Sequence, residues 1–209
     1  MYLKVHPENP QGRHITQAVD TLRNDGIIVY PTDTVYGIGC SIFSKKAIDR
    51  IYQIKNQHPS KPFSFVCSDL SHISEYALVS NPAYRIMKHL IPGPFTFILP
   101  ASRLKQLPKS LISKRKTVGI RVPDNQICLS IVKGLEHPIL SASVTDKNGD
   151  VVNNPELIKE IFDHQVDLIL DGGINISAPS TVLDFTEEPP VVIREGAGDI
   201  SELLTLGKE

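Results

Sequence analysis

Cysteine is scarce in this chain: Cys40, Cys67 and Cys128 are the only three in 209 residues. They are far apart and odd in number, which argues against a disulfide framework and against a zinc site. Each has apolar neighbours, so the expectation is a buried, inert thiol packed as a small hydrophobe. No local pattern supplies the histidine that a catalytic cysteine needs. Long apolar runs are also missing, none approaching the roughly 18 residues of a membrane span. The opening Met1-Tyr2-Leu3-Lys4-Val5-His6 lacks the basic-then-apolar order of a secretory signal, so a cytoplasmic protein without a membrane partner is expected. Charge of one sign is missing too. A formal net charge of −1 excludes a general nucleic-acid coat protein, which would be strongly basic. It leaves room for a local basic patch. The tightest cationic run, Lys114-Arg115-Lys116, reads either as a solvated loop or as the lining of a groove for phosphate or RNA.

The familiar chemical signatures are absent as well. There is no GxxxxGK[ST] phosphate loop, and Gly37-Ile38-Gly39 lacks the third glycine of a dinucleotide fingerprint. There is no GxSxG nucleophile elbow. The seven histidines show no metal-ligand spacing, so no metal ligands are assigned. Internal repeats, low-complexity tracts and linkers are not found. Ligand chemistry must therefore use other elements.

What is present is an alternation of helical and strand patterns. Ile15, Ala18, Val19 and Leu22 recur at helical spacing, with Gly26 as a stop. Further helices are expected around Ile48–Tyr52, Ile86–Leu90 and Leu157–Phe162, with a short one after Asp199, a good N-cap. Strands are expected at Ile27–Tyr30, Phe63–Cys67, Phe95–Leu99, Thr117–Val122, Pro138–Ala142, Asp167–Leu170, Thr181–Phe185 and Val191–Arg194. Such alternation predicts the α/β class. The short Glu187-Glu188-Pro189-Pro190 link predicts an antiparallel last pair, and so a mixed sheet. With 209 residues and no linker, one domain is the economical reading, its core spanning about residues 10–200.

The most unusual segment is Tyr30-Pro31-Thr32-Asp33-Thr34-Val35-Tyr36-Gly37. Hydroxyls and a carboxylate at a strand end can hold a polar ligand, because strand C-termini open into crevices in α/β folds. Equally, Thr and Asp satisfy backbone groups at a capped turn. The residues alone leave both readings open.

Pro31-Thr32-Asp33-Thr34-Val35-Tyr36-Gly37 resembles the P-T-[DE]-T-x-Y-G motif of the YrdC/YciO family, which includes the threonylcarbamoyl-AMP synthases. Further stretches match in order. Pro92-Gly93-Pro94-Phe95-Thr96 resembles P-G-P-x-T, and Thr117-Val118-Gly119-Ile120-Arg121-Val122-Pro123 resembles T-[VI]-[GA]-[VIL]-R-x-P. Asp171-Gly172-Gly173 and Pro179-Ser180-Thr181-Val182 resemble D-G-G followed by S-T-[VI]. Val192-Ile193-Arg194-Glu195-Gly196 resembles the closing L-R-x-G. The resemblance covers nearly the whole chain. It implies a single α/β domain of the YrdC/RibB type, residues 1–209, with flanking helices on a twisted mixed parallel/antiparallel sheet and a concave binding face. It also implies an enzyme, a nucleotidyltransferase. This would join L-threonine, bicarbonate and ATP, with Mg2+ accompanying the ATP, into threonylcarbamoyl-AMP and pyrophosphate, the precursor of a tRNA modification, alongside tRNA-modification partner proteins. Chemically that is adenylyl transfer onto a carboxylate, in which positioning and charge neutralisation carry the rate.

By the same resemblance, Thr34 and Tyr36 would line the amino-acid pocket, and Ser180 would touch the amino acid. Arg121 would bind its carboxylate, since a guanidinium matches carboxylate geometry with paired hydrogen bonds; the bland alternative is a buried ion pair. Lys55, Thr117, Ser143 and Arg194 would face the nucleotide, with Lys55 and Arg121 catalytic. For Lys55 the alternative is an exposed helix end, and for Arg194 a surface salt bridge. Three departures stand out. The family's K-x-R is Lys55-Asn56-Gln57, its S-x-N is Ser143-Val144-Thr145, and a strand His of many synthases is Val66. Lys61 would restore positive charge near the lost arginine, though not a guanidinium. The Lys114-Arg115-Lys116-Thr117 run and the strand ending in Cys67 look more like the YciO branch, and the departures count against full synthase activity. They leave two other outcomes: a double-stranded RNA-binding module, and a nucleotide or metabolite sensor without turnover.

Overall fold

The computed structural model describes residues 1–58, 63–102, 107–108, 111, 113–175 and 177–201. Its strands are β1 (Tyr2–Lys4), β2 (Ile28–Tyr30), β3 (Gly37–Ser41), β4 (Ser64–Val66), β5 (Phe95–Pro100), β6 (Thr117–Arg121), β7 (Ile139–Ser143), β8 (Leu168–Asp171), β9 (Thr181–Asp184) and β10 (Val191–Arg194). The helices are α1 (Gly12–Arg23), α2 (Lys45–Ile54), α3 (Leu70–Ser74), α4 (Asn81–Leu90), α5 (Gln126–Leu135) and α6 (Pro155–Phe162). All the strands join one sheet in the order β1-β8-β2-β3-β7-β4-β6-β5-β9-β10. Pairs β1/β8, β2/β8, β4/β6 and β5/β9 are parallel. The others, including the expected β9/β10 pair, are antiparallel. The sheet is thus mixed, as its last link predicted.

Successive residues of a strand point to opposite faces, and the core divides accordingly. Ile28, Tyr30, Val66, Ile139, Leu168 and Leu170 pack beneath α1 and α5. Val29, Phe65, Leu140 and Ile169 belong to the larger cluster on the other face, with Ile48 and Ile51 of α2, Met87 of α4 and Phe162 of α6. The helices start where short polar side chains take up free amide groups. Ser44, Ser80, Asn125 and Asn154 accept from Ala47, Ala83, Cys128 and Glu156, respectively. Cys40, Cys67 and Cys128 are buried free thiols, as expected. Burial pushes the thiol pKa of Cys128 up to about 12, which keeps it protonated and inert.

Four elements depart from the sequence reading: β1, β3, α3 and α5 were not anticipated. Of the segment expected to be helical after Asp199, Ser201 is helical, and residues 202–209 lie outside the described residues. Strand β3 shows why intrinsic preference misleads. Gly37-Ile38-Gly39-Cys40-Ser41 is a weak strand sequence, yet it is fully buried between β2 and β7. A Cβ at Gly39 would lie 2.5 Å from the Leu140 carbonyl oxygen and 2.6 Å from Cγ2 of Ile139. Glycine is there because its neighbours leave room for nothing else. Gly39→Ala should therefore lower unfolding stability by about 3 kcal/mol or more, read as a fall in the urea midpoint.

Candidate functional site

The alternation that builds the core also builds a cavity. On β6, Val118 and Ile120 face the larger core cluster, while Thr117, Gly119 and Arg121 line a cavity of about 590 Å3. Arg121 is in register with Val66 and Ser64 with Gly119. Cross-strand neighbours share a face, so the cavity opens on the face that α1 and α5 cover elsewhere. Ser141, Ser64, Gly119 and Ile98 form one row across β7, β4, β6 and β5. Ser143 and Gly37 stand opposite each other one step further along β7 and β3. The same face is apolar beneath α5, at Ile139, and polar in the cavity, at Ser141 and Ser143. The volume suits a small-molecule ligand.

The lining is strongly biased in charge. Lys55, Arg121 and Arg194 contribute to it, with the hydroxyls of Thr32, Ser64, Thr96, Ser113, Thr117, Ser141, Ser143, Thr145 and Ser180. Among the described residues no Asp or Glu lines it, although the chain as a whole is net negative.

Each predicted residue among the described ones has a definite place. Lys55, at the C-cap of α2, donates from Nζ to the Ser143 carbonyl at 2.9 Å and to Thr145 Oγ1. Burial disfavours its charged form and lowers its pKa below the ordinary lysine value. Ser143 thus meets Lys55 through its main chain. The hydroxyls of Thr117 and Ser113 are 2.6 Å apart, and Ser113 Oγ also accepts from the Thr117 amide. Ser180 Oγ lies 2.8 Å from Thr96 Oγ1, and Arg194 donates from Nε and Nη2 to the Ser180 carbonyl at 3.2 and 2.7 Å. Arg194 is exposed yet turned back onto the cavity wall. The glycine after Glu195 makes this possible: a Cβ at Gly196 would sit 2.1 Å from the Pro179 carbonyl.

Tyr36 is on the wall, but its hydroxyl is already engaged. It donates to the Gly173 carbonyl at 2.7 Å and accepts from the Gly172 amide at 3.0 Å, clamping the Asp171-Gly172-Gly173 turn. Burial raises its pKa far above the usual phenol value. Thr34 is fully buried and is not among the wall residues; it accepts from Arg121 Nη1 at 3.0 Å. Arg121 Nη2 meets Asp33 Oδ1 at 2.6 Å, so Arg121 forms a buried ion pair and also reaches the cavity wall. Lys61 lies outside the described residues. The hydroxyl pairs Ser113/Thr117 and Thr96/Ser180 were not anticipated as units, nor was Ser141. The spacing of Ser141 and Ser143 on a strand was the one signal available for the last of these.

Comparison with known proteins places the fold in a family. The family model for Sua5, YciO and YrdC proteins, described as "Telomere recombination", matches residues 20–196. The chain belongs to this family. An uncharacterized protein of Haemophilus influenzae is 48% identical over 97% of this chain and 99% of its own length. YciO of Escherichia coli, likewise uncharacterized, is 43% identical, and its crystal structure superposes with a TM-score of 0.91 over 97% of this chain and 98% of that one. Pyrococcus abyssi Sua5, crystallised with L-threonine, is 27% identical with a TM-score of 0.91, covering 99% of this chain and 60% of that one. The chain is therefore nearer in sequence to YciO than to Sua5, and shares its fold with both.

The three departures from the synthase pattern fall in or beside the cavity. Gln57 and Thr145 line it, and Thr145 is the residue that accepts from Lys55. Val66 is fully buried beside Arg121 and packs into the core under α5. Among the described residues no helix is long and apolar enough to cross a membrane.

Proposed function

We propose that the cavity binds ATP with a small L-amino acid, L-threonine first, and catalyses formation of threonylcarbamoyl-AMP from threonine, bicarbonate and ATP. One observation carries this reading: three cations and a ring of hydroxyls converge on one cavity whose described lining has no carboxylate. Such a lining suits a polyanion, and its cations would neutralise the charge that builds on a leaving pyrophosphate. In this reading the threonine carboxylate takes the free N–H groups of Arg121. Lys55 and Arg194 neutralise the triphosphate, and the Thr117 and Ser180 hydroxyls orient the two substrates. The threonine amine first takes up bicarbonate with loss of water to give its N-carbamate; the carbamate oxygen then attacks the α-phosphorus, the bond to the bridging oxygen breaks, and pyrophosphate leaves. The described lining offers no carboxylate to hold Mg2+, so the ion would enter on the triphosphate. The product would supply a tRNA-modifying transferase, which makes tRNA and that machinery the natural partners.

The test is pyrophosphate release with ATP, Mg2+, bicarbonate and L-threonine, against a control without threonine. Threonine-dependent release, lowered at least tenfold by Lys55→Ala, is the expected result. The tenfold figure is the loss of about one charged hydrogen bond, ~1.5 kcal/mol or more. ATP binding without release would leave a nucleotide sensor. Absence of ATP binding, with salt-sensitive retention of duplex RNA, would move the site to nucleic acid.

A further inference from the structure

Arg121 and Asp33 are 88 residues apart in sequence, and each side chain is about nine-tenths buried. Arg121 reaches the cavity wall and Asp33 does not. The segment holding Asp33 is fixed from several sides. Thr32 Oγ1 donates to the Val35 carbonyl at 2.7 Å and accepts from the Thr34 amide at 3.1 Å. Asn175 Nδ2 donates to the Thr32 carbonyl at 2.9 Å. Because the Thr32 hydroxyl proton goes to Val35, the 3.1 Å contact between the two threonine hydroxyls must be donated by Thr34. A one-way chain results: Arg121 Nη1 donates to Thr34, Thr34 to Thr32, and Thr32 to the Val35 carbonyl. Chains of this kind polarise one another and favour a single arrangement.

The guanidinium has five N–H donors. Asp33 and Thr34 take one from each terminal nitrogen, and Nε is buried without a partner. Asp33 Oδ2 is likewise buried and unpartnered. The other two cavity cations differ: Lys55 and Arg194 donate to carbonyl and hydroxyl oxygens. The cavity therefore has two cations held by neutral groups and one whose charge is largely cancelled from behind.

We infer that Asp33 is a positioning residue that sets both the direction and the effective charge of the Arg121 guanidinium. This rests on reading the cavity as a site for a polyphosphate beside an amino-acid carboxylate. The pairing makes Arg121 a directed hydrogen-bond donor for a carboxylate and a poor landing point for phosphate, which is left to Lys55 and Arg194. The two anionic groups of the substrates are thereby sorted to different ends of one cationic cavity.

The test is calorimetric titration of pyrophosphate and, separately, of L-threonine into the full chain, Asp33→Asn and Asp33→Glu, with thermal unfolding of each. Asp33→Asn should bind pyrophosphate roughly threefold to thirtyfold tighter, the span for one uncancelled charge at ~8 Å between water-like and protein-like dielectric. Its threonine binding should weaken about tenfold, one charged hydrogen bond's worth. Asp33→Glu keeps the charge and moves the carboxylate, so pyrophosphate affinity should stay at the wild-type level while threonine binding weakens. Parallel weakening of both ligands, or pyrophosphate affinity in Asp33→Asn no higher than wild type, overturns the inference. If Asp33→Asn does not fold, Asp33→Glu decides alone: wild-type binding of both ligands overturns the inference. If the wild-type chain takes up no threonine, the proposed substrate is wrong, and the pyrophosphate comparison still decides the role of Asp33.

Discussion

Arg121→Ala should abolish threonine-dependent pyrophosphate release and also lower the unfolding free energy by about 3–5 kcal/mol, the usual cost of stripping a partner from a buried charge pair. The two effects have different origins. Loss of release follows from removing the cavity's donor for a carboxylate. Loss of stability follows from what stays behind: Asp33, about nine-tenths buried, with one oxygen already unpartnered and the other newly so. Activity alone would then confound a missing ligand contact with a disturbed fold. Arg121→Lys separates them. An ammonium keeps a charge opposite Asp33, so stability should fall by less than in the alanine variant. It presents no planar fork to a carboxylate, so threonine affinity should still drop about tenfold or more. Urea unfolding and threonine titration on both variants make the comparison. An alanine variant as stable as wild type would mean that water reaches Asp33 and that the pair is not a buried one.

The pattern of β6 is largely legible in the sequence. Thr117, Gly119 and Arg121 alternate with Val118 and Ile120, and that alternation places the polar set in the cavity and the apolar set in the core. The strands rich in β-branched residues and the amphipathic helices α1, α2, α4 and α6 are legible for the same reason. What escapes shares one cause: its identity depends on neighbours distant in sequence. β3 is a strand because β2 and β7 flank it, and its glycines answer to the Leu140 carbonyl and the Tyr30 ring. α5 buries Ile127, Cys128, Leu129, Ile131, Val132 and Leu135, so no clean polar face marks its period. At the site, the residue types of Pro31–Gly37 suggest either ligand binding or a capped turn. The structure shows a turn braced against Arg121, and Thr32, Val35, Tyr36 and Gly37 of the same segment line the cavity. Thr34 and Tyr36 meet Arg121 and the Asp171–Gly173 turn, contacts that only the folded chain brings together.

The cavity's own composition leads to the last expectation. Gln57 faces the same space as Lys55 and Arg194, and it stands where the synthase motif has an arginine. An arginine there would add a fourth cation to a lining that already lacks carboxylates among the described residues, at a site wide enough to admit a polyphosphate. One new charge-assisted bond to phosphate contributes about 1.5–3 kcal/mol, or roughly tenfold to a hundredfold. Gln57→Arg should therefore raise kcat/KM for threonine-dependent pyrophosphate release by about that factor. If the new bond forms mainly in the transition state, kcat should rise and ATP affinity change little; if it forms equally with bound ATP, KM should fall instead. Thr145→Asn is the complementary change. Thr145 accepts from Lys55, and an asparagine carbonyl can keep that bond while its amide adds a donor toward the ligand. Since both positions lie close to Lys55, the double variant should depart from the product of the single effects. Should Gln57→Arg leave both release and ATP affinity at wild-type values, position 57 does not meet phosphate. The triphosphate would then have to lie toward Arg194 and Thr117, with the amino acid nearer Lys55.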